Sequence, residues 1–352
     1  MAIDEGRLNN LLGQFVADLG AAMHAGNAVI GDRLGLYLGL RELGPTSAKH
    51  LAAHTGTAER YVREWLRGQA AGGYVSCDDA AETYHLTEEQ ALALADPAGP
   101  ALPGGFLFAL ACLKDEPQVT EAFRTGKGVG WHEHHPEVFT GCERFFRPGY
   151  TAHLVSEWIP ALDGVAERLA AGGRAADVGC GLGTSTRLIA EAYPQAAVAG
   201  FDYHEESIRL ARKAAADAGA GERVSFEAAP AAGFPGSGYD LVATFDCLHD
   251  MGDPLGAARH IRRALASDGT WLVVEPHAGD HPAENMNPVG RAYYGFSTFL
   301  CVPAAVSQGA GAGALGAQAG EPAVRSIAAQ AGFTRFRRVA ETPFNLVFEI
   351  RP

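Results

Sequence analysis

The strongest structural signal in this sequence is a strand that runs directly into a glycine turn and then into a helix. Residues 175–183 read Ala-Ala-Asp-Val-Gly-Cys-Gly-Leu-Gly, and residues 184–192 have a helical pattern. Gly179, Gly181 and Gly183 allow positive φ and let a ligand approach the backbone without meeting a Cβ atom. The segment therefore predicts a site for a nucleotide-like ligand.

An acidic residue at the end of the next predicted strand narrows the ligand. A second apolar run, residues 196–201, begins about 20 residues after Asp177 and ends at Asp202, whose carboxylate suits a ribose diol. A dinucleotide fold would have G-x-G-x-x-G, with the helix N-terminus facing a pyrophosphate. Here the order from residue 177 is D-x-G-x-G-x-G. The two signals together indicate an adenosine ligand that is not a dinucleotide.

This order resembles motif I of the class I S-adenosylmethionine (SAM) methyltransferases. The resemblance implies that the leading acid and the glycines hold the methionine and ribose ends of a phosphate-free ligand. The expected cofactor is SAM and the expected product is S-adenosyl-L-homocysteine. The residues of this region expected to bind the cofactor are Asp177, Gly179, Gly181, Gly183, Asp202 and Tyr203.

Strand and helix patterns alternate through the second part of the chain, as in a doubly wound parallel sheet. Strands are predicted near residues 175–178, 197–201, 224–227, 241–245, 270–274, 336–339 and 346–350. Seven strands match the Rossmann-like α/β fold of the methyltransferases. The glycine- and alanine-rich residues 309–320 are predicted to form a mobile loop.

The first 150 residues predict a mainly α domain of the winged-helix type. Apolar residues recur at helical spacing over residues 8–19 and 29–43, and such broad faces suit a homodimer interface. A short helix that ends near His54, a second over residues 58–70 and a hairpin over residues 74–86 predict a helix-turn-helix with a wing. The predicted domains are residues 1–150, for dimerisation and as a substrate lid, and residues 151–352, which bind SAM.

A winged helix raises the alternative of a SAM-sensing transcription regulator that binds DNA. The second helix carries Arg60, Arg63 and Arg67 along one side. Glu59 and Glu64 lie on the same helix, however, and the net charge of −13 at pH 7 opposes attraction to a polyanion. A protein-interaction module is favoured, and nucleic acid is not the expected partner.

Composition limits the remaining classes of function. No stretch reaches the run of about 18 apolar residues that a membrane span needs, and the first residues lack a secretory pattern, so a cytoplasmic protein is expected. Six scattered cysteines without a CxxC pair predict reduced thiols and no zinc site.

The alternative metal site is formed by His132, His134 and His135, with Glu133. Neighbouring side chains rarely converge on one ion, and a polar lid or pocket wall is favoured.

The candidate catalytic residue follows the fourth strand of the sheet. Residues 245–251 read Phe-Asp-Cys-Leu-His-Asp-Met, at the carboxyl end of a strand, where open α/β sheets bind ligands. With the winged helix and motif I, this segment resembles the small-molecule O-methyltransferases of the caffeic acid and antibiotic-tailoring type, whose His-Asp-Trp motif supplies a general base. His249 matches that base, and Met251 replaces the tryptophan. A neutral imidazole suits removal of a hydroxyl proton near pH 7.

The resemblance implies roles for five more residues. Glu275, after the fifth strand, and Glu321, before a late helix, match the acids that flank the base. Asp246 and Cys247 lie where the backbone passes SAM, and Tyr150 lies where an aromatic residue covers the methionine end. The aromatic residues 293–299 suit a flat aromatic or polyketide-like small-molecule acceptor. Methylation of nitrogen or carbon by proximity alone stays open as an alternative.

Overall fold

The computed structural model, which describes residues 3–220 and 223–352, divides the chain after Ala111 into two separately packed units. The sequence predicts a domain boundary near residue 150 instead. The two boundaries differ because the helix Glu137–His153, which lies between them, packs against the helix Thr184–Ala192 of the second unit. In the part of the chain that the structure describes, no helix is long and apolar enough to cross a membrane.

The first unit has the predicted helix-turn-helix and wing. Ser47 caps the third helix by accepting a hydrogen bond from the backbone N–H of His50, and Gly56 ends that helix in the left-handed region. Inside the unit, the Tyr37 hydroxyl donates to Gln69 Oε1 over 2.8 Å. The elements are α1 Glu5–Arg33, α2 Leu36–Leu43, α3 Ala48–Thr55, α4 Glu59–Ala71, β1 Ser76–Asp78, β2 Thr83–His85 and α5 Glu88–Leu94, followed by α6 Leu102–Leu113, which crosses the division.

Helix α1 carries an apolar face that the single chain leaves exposed. Asp4 caps the helix by accepting from the Arg7 backbone N–H. The seven large apolar side chains of this face are 42–67% exposed: Leu8, Leu11, Leu12, Phe15, Val16, Leu19 and Met23. Contiguous exposed apolar surface of this kind marks an interaction site.

The second unit is built on a seven-stranded sheet, which confirms the predicted fold class. The strand order is β5-β4-β3-β6-β7-β9-β8, in which β9 is antiparallel to its neighbours and the other pairings are parallel. The strands are β3 Arg174–Val178, β4 Ala197–Asp202, β5 Val224–Ala228, β6 Tyr239–Phe245, β7 Leu265–Pro276, β8 Arg335–Glu341 and β9 Asn345–Arg351. The order reverses between β3 and β6, and ligands bind at such switch points.

Helices cover both faces of this sheet. Val242 of β6 packs on one face with residues of α12 and α15, whereas Leu241 and Ala243 pack on the other face with Trp158 and Leu169. Strands buried on both faces read as continuous apolar runs, which is why they were recognisable in the sequence. The helices are α7 Glu116–Thr125, α8 Glu137–His153, α9 Val165–Ala170, α10 Thr184–Ala192, α11 Glu205–Asp217, α12 Pro254–Ala264, α13 Pro288–Phe296, α14 Val302–Ser307 and α15 Gly320–Gln330.

Two π-helical turns interrupt the helices of the second unit. Leu154–Trp158 continues α8, and Ser297–Cys301 joins α13 to α14. The segment predicted as a mobile loop, residues 309–320, contains a short helical turn, Gly311–Gly313, and a buried Ala317 whose N–H donates to Ser297 Oγ over 3.1 Å. This segment is therefore packed against the second π turn.

Candidate active site

The glycine turn after β3 has one open side. Gly179, Gly181 and Gly183 all have positive φ, as the motif predicts. A Cβ atom would lie 2.6 Å from Cys247 Sγ at Gly179 and 2.5 Å from Phe226 Cε1 at Gly183, whereas at Gly181 it would meet nothing within 4 Å. The outer glycines are therefore required by packing. Gly181 is the position where a ligand can approach the backbone.

Asp202 lies at the end of β4, beside this turn. Its Oδ2 accepts from the Gly181 N–H and its Oδ1 from the His204 N–H, each over 2.9 Å. Burial raises the pKa of Asp202, and these two hydrogen bonds oppose the rise. The side chain is surrounded by protein yet keeps some accessible surface, as expected for the floor of an open crevice.

Asp177 lies beneath the turn. Its Oδ2 accepts from the hydroxyls of Ser185 and Thr186, both over 2.6 Å, and thereby ties β3 to the first turn of α10. Its Oδ1 is buried without a hydrogen-bond partner among the described residues. Burial raises the pKa of this carboxyl to about 6, although the two hydroxyls oppose the rise.

His249 and Glu275 meet at the carboxyl ends of the adjacent parallel strands β6 and β7. His249 is 3% exposed and lies in a short helical turn, Leu248–Asp250, directly after β6. His249 Nδ1 is 2.6 Å from Glu275 Oε2, while Glu275 Oε1 accepts from the Leu248 N–H over 3.0 Å. One buried carboxylate thus orients both the imidazole and the backbone that carries it.

The opposite nitrogen of the imidazole faces a second carboxylate and a thiol. His249 Nε2 is 3.1 Å from Asp250 Oδ1, and Cys301 Sγ lies within 4.8 Å of a ligand atom of each of these two residues. Burial works to lower the pKa of His249, but the charges of Glu275 and Asp250 outweigh it and hold that pKa well above its usual value. Burial and the charge of Asp250 raise the pKa of Cys301 to about 12.

Glu321 was predicted as the second acid beside the base, and the structure gives it other partners. It lies in the first turn of α15, where its carboxylate is bound by Arg325 and by Arg338, the latter over 2.7 Å. The second carboxylate beside the imidazole is that of Asp250. Sequence position alone did not distinguish these two acids, because α15 follows the long glycine- and alanine-rich segment.

Asp246 connects three elements at the end of β6. Its Oδ2 accepts from the Tyr150 hydroxyl of α8 over 2.8 Å, and its Oδ1 accepts from Asn345 Nδ2 of β9 over 2.9 Å. Its φ of 48° is unusual for a residue other than glycine, and such backbone strain concentrates at functional sites. Cys247, the next residue, points its thiol at the Val178 carbonyl over 3.3 Å.

The three histidines of residues 132–135 each contact a different residue, and one of them contacts Tyr203. The Tyr203 hydroxyl accepts from the Trp131 N–H over 3.1 Å, and the His132 ring lies edge-on to the Tyr203 ring. His134 is buried, with Nδ1 2.9 Å from Asp115 Oδ2, whereas His135 Nδ1 accepts from the Glu137 N–H. Within residues 3–220 and 223–352, the donors of this segment do not form a group that could hold a metal ion.

Three residues of the site carried no local signal in the sequence. Cys301 reaches His249 only through the π turn between α13 and α14, and Asn345 reaches Asp246 from the last strand. Asp115 contacts His134 across a turn and two short helices. Each of these contacts depends on tertiary packing between distant segments.

Two protein-family models match this chain. Residues 22–96 match a model described as an Rv2258c-like winged HTH domain, and residues 169–314 match one described as a methyltransferase domain. The first match falls within the first unit and the second within the second unit. Both predicted domain types are thereby confirmed.

One curated protein and two solved structures are also similar to this chain. Trans-aconitate 2-methyltransferase of Streptomyces avermitilis is 33% identical over 114 residues, which cover 32% of this chain and 42% of that protein. The chain thus matches less than half the length of this curated relative. A human N-acetylserotonin methyltransferase in complex with SAM aligns with a TM-score of 0.70 at 16% identity over 100% of this chain and 99% of that chain. A mitomycin 7-O-methyltransferase aligns with a TM-score of 0.67 at 19% identity, over 99% of this chain and 100% of that chain.

Proposed function

We propose that this chain, which belongs to the class I SAM methyltransferases with an N-terminal winged helix-turn-helix domain, methylates a hydroxyl group of a small molecule with His249 as the general base. The observation that carries the proposal is the 2.6 Å contact between His249 Nδ1 and Glu275 Oε2. An ionised carboxylate only accepts hydrogen bonds, so Nδ1 carries a hydrogen. In the neutral form of the ring, which is populated above its raised pKa, the lone pair is at Nε2. The turn that carries His249 follows β6, and the glycine turn follows the neighbouring parallel strand β3, so both lie at the carboxyl edge of the sheet.

The reaction requires two transfers from one acceptor oxygen. The oxygen attacks the methyl group of the SAM sulfonium, and its proton moves to His249 Nε2, which leaves S-adenosyl-L-homocysteine and a methyl ether. Glu275 and Asp250 then stabilise the imidazolium, because their charges already favour the protonated ring. General-base assistance of this kind contributes roughly 100- to 10,000-fold to a rate.

The proposed cofactor site lies around the glycine turn. In the proposed complex the open side of Gly181 admits the methionine portion, and Asp202 binds the ribose hydroxyls. The unpartnered Oδ1 of Asp177 supports its assignment to the methionine end. The remaining proposed cofactor contacts are Gly179, Gly183, Tyr203, Asp246, Cys247 and Tyr150.

The proposed assembly is a homodimer formed through the apolar face of α1. Seven exposed large apolar side chains along one helix are unfavourable in water, at roughly 25 cal/mol per Å² of apolar surface. A second copy of the chain offers the same face, and a two-fold axis makes such a face complementary to itself.

The DNA-binding alternative has weaker support in the first unit. Arg60 pairs with Glu64 over 2.6 Å, and Arg63 pairs with Glu59. The wing tip is acidic, and Asp78 is used to accept hydrogen bonds from the backbone N–H groups of Ala80 and Ala81. Two of the three arginines that would meet phosphate groups are thus offset by acidic side chains.

The proposal is tested with methyl-labelled SAM and a panel of phenols, amines and carboxylates, assayed with the wild type and with His249→Ala. We expect transfer to a phenol or related hydroxyl, a variant rate roughly 100-fold or more lower, and unchanged SAM affinity by calorimetry. A carboxylate needs no deprotonation, so equal turnover of a carboxylate by both proteins would instead favour an activity like that of the trans-aconitate relative. Equal turnover of a hydroxyl acceptor would remove His249 from the mechanism.

A further inference from the structure

Three potential metal ligands meet beside the candidate base. A ring nitrogen of His249, a carboxylate oxygen of Asp250 and Cys301 Sγ all lie within 4.8 Å of one another, and His249 Nε2 is 3.1 Å from Asp250 Oδ1. Across residues 3–220 and 223–352, this is the one group of histidine, cysteine and acidic side chains whose ligand atoms converge in this way. The side chain of Asp250 is 24% accessible, so the cluster has an open side.

The imidazole is supported in the way that metal-binding histidines are. A histidine ligand commonly donates its other ring N–H to a carboxylate, which fixes the tautomer and the ring orientation. Glu275 occupies that position at Nδ1 and is itself fixed by the Leu248 N–H. The ring therefore presents Nε2 to Asp250 and Cys301 without further rearrangement.

A cation would also compensate a buried carboxylate oxygen. Asp250 Oδ1 has almost no accessible surface, and its 3.1 Å contact with His249 Nε2 is an ion pair only while the ring is protonated. In the neutral ring Nε2 carries a lone pair and gives this oxygen no hydrogen. A metal ion held between this oxygen, Nε2 and Sγ supplies the positive charge instead.

We propose that His249 Nε2, a carboxylate oxygen of Asp250 and Cys301 Sγ bind one transition-metal ion of the zinc class. Nitrogen, oxygen and sulfur donors together suit zinc or cobalt and exclude magnesium and calcium, which prefer oxygen alone. Three protein ligands leave a fourth tetrahedral position for water. Binding releases the thiol proton of Cys301 to solvent, since the thiolate is the ligand.

The site has a regulatory consequence for the proposed reaction. A metal ion at Nε2 occupies the lone pair that would accept the hydroxyl proton, so zinc inhibits methyl transfer. This consequence rests on the proposed function, whereas the metal binding itself does not. The scattered cysteines of the sequence predict no zinc site, and Cys301 is brought to Asp250 only by the fold.

The binding test is titration of the chelator-treated full chain with Co²⁺. We expect one Co²⁺ per chain, with visible d–d bands and a near-ultraviolet thiolate-to-metal charge-transfer band. Cys301→Ser should lose the charge-transfer band and bind at least tenfold more weakly, and Asp250→Asn should weaken binding while keeping the band. Cys77→Ala removes an exposed thiol of the first unit and should change neither.

Two results would overturn the site: no stoichiometric Co²⁺ binding by the wild type, or an unchanged charge-transfer band in Cys301→Ser. Circular dichroism of each variant shows whether it is folded, and Asp250→Asn provides the test if Cys301→Ser is not.

A parallel assay measures methyl transfer with added Zn²⁺, where inhibition reversed by chelator is expected. Co²⁺ binding without zinc inhibition would support the site and contradict the role of Nε2 as the base. A wild type that binds no metal, together with an inactive His249→Ala, would overturn the metal site and leave the proposed function standing alone.

Discussion

Glu275 acts on two neighbouring groups at once, through the Leu248 backbone and through the His249 ring. Glu275→Gln keeps the size of the side chain but removes the charge that stabilises the imidazolium. We expect kcat to fall about tenfold or more, with SAM affinity unchanged, in a steady-state assay with calorimetry alongside.

Glu321→Gln is the matched control for this substitution. Glu321 is the other acid that the sequence pattern assigns to the base, and its carboxylate is held by Arg325 and Arg338. We expect the kcat of Glu321→Gln to stay within about twofold of the wild-type value, because ion pairs near the surface contribute little energy. A loss as large as that of Glu275→Gln would restore Glu321 to the catalytic set.

Asp177 makes the stability of the protein depend on pH. Its pKa rises from 3.8 to about 6 on folding, because the carboxylate is buried. The folded state therefore holds the proton more tightly than the unfolded state, and the resulting stability is present below pH 4 and lost as pH rises through 6. The loss amounts to roughly 3 kcal/mol of unfolding free energy.

Asp177→Asn should abolish this dependence. In urea unfolding without SAM, the free energy of unfolding of the variant relative to the wild type should be higher at pH 7.5 than at pH 4.5, by roughly 2 kcal/mol, because about a third of the total is already lost at pH 4.5. Comparing differences cancels the titration of all groups that the two proteins share. The same difference at both pH values would show that Asp177 does not titrate in this range.

The sequence predicts the position of a residue well when that position is determined by its neighbours in the chain. It fails where the position depends on packing between distant segments. The glycines of the turn and Asp202 were recognisable because a turn with positive φ and an acid at a strand end are encoded by neighbouring residues. Glu275 was predicted from the family resemblance, as the acid that follows the fifth strand, and the structure has it 2.6 Å from His249 Nδ1. Cys301 was missed because its position depends on how α13 and α14 pack, and no periodic pattern records that.

The elements themselves followed from hydrophobic periodicity. The seven strands of the sheet were predicted within a few residues of their observed bounds, since buried strands read as apolar runs between turns. The boundary between the units was harder to predict, because a helical pattern over α8 does not reveal which unit the helix packs on. Residues 309–320 have a loop-like composition, yet Ala317 is buried against Ser297.

Helix α1 is the element on which the proposed dimer depends. Replacing Phe15 and Leu19, which are 58% and 52% exposed in the single chain, with glutamate puts like charges on both sides of a symmetric interface. We expect the double variant to be monomeric in sedimentation equilibrium, with a dimer dissociation constant at least 100-fold higher than that of the wild type.

Tyr61→Glu is the control for that experiment, because Tyr61 is an exposed aromatic residue of α4 in the same unit. It adds the same charge outside the apolar face and should leave the dimer intact. A wild type that sediments as a monomer, or a double variant that remains dimeric, would rule out α1 as the interface.

At the scale of the whole molecule, charge separates the two functions that a winged helix allows. The chain carries a net charge of −13 at pH 7, and Arg63 is neutralised by Glu59. In a gel-shift titration at near-physiological salt we expect no sequence-selective DNA binding, since phosphate contacts supply most of the affinity of such complexes. Tight selective binding that is lost in Arg63→Ala would favour the regulator instead.

The π turn at Ser297–Cys301 places one additional residue in an otherwise α-helical path. Each residue of an α-helix advances the chain by about 100° around the axis, so removing one residue there would turn α14 by that angle relative to α13. The thiol of Cys301 would then leave the imidazole, while every side chain of the cluster kept its chemical identity. The chemistry of the cluster is therefore determined by its three side chains. Whether the cluster forms at all depends on the number of residues between α13 and α14.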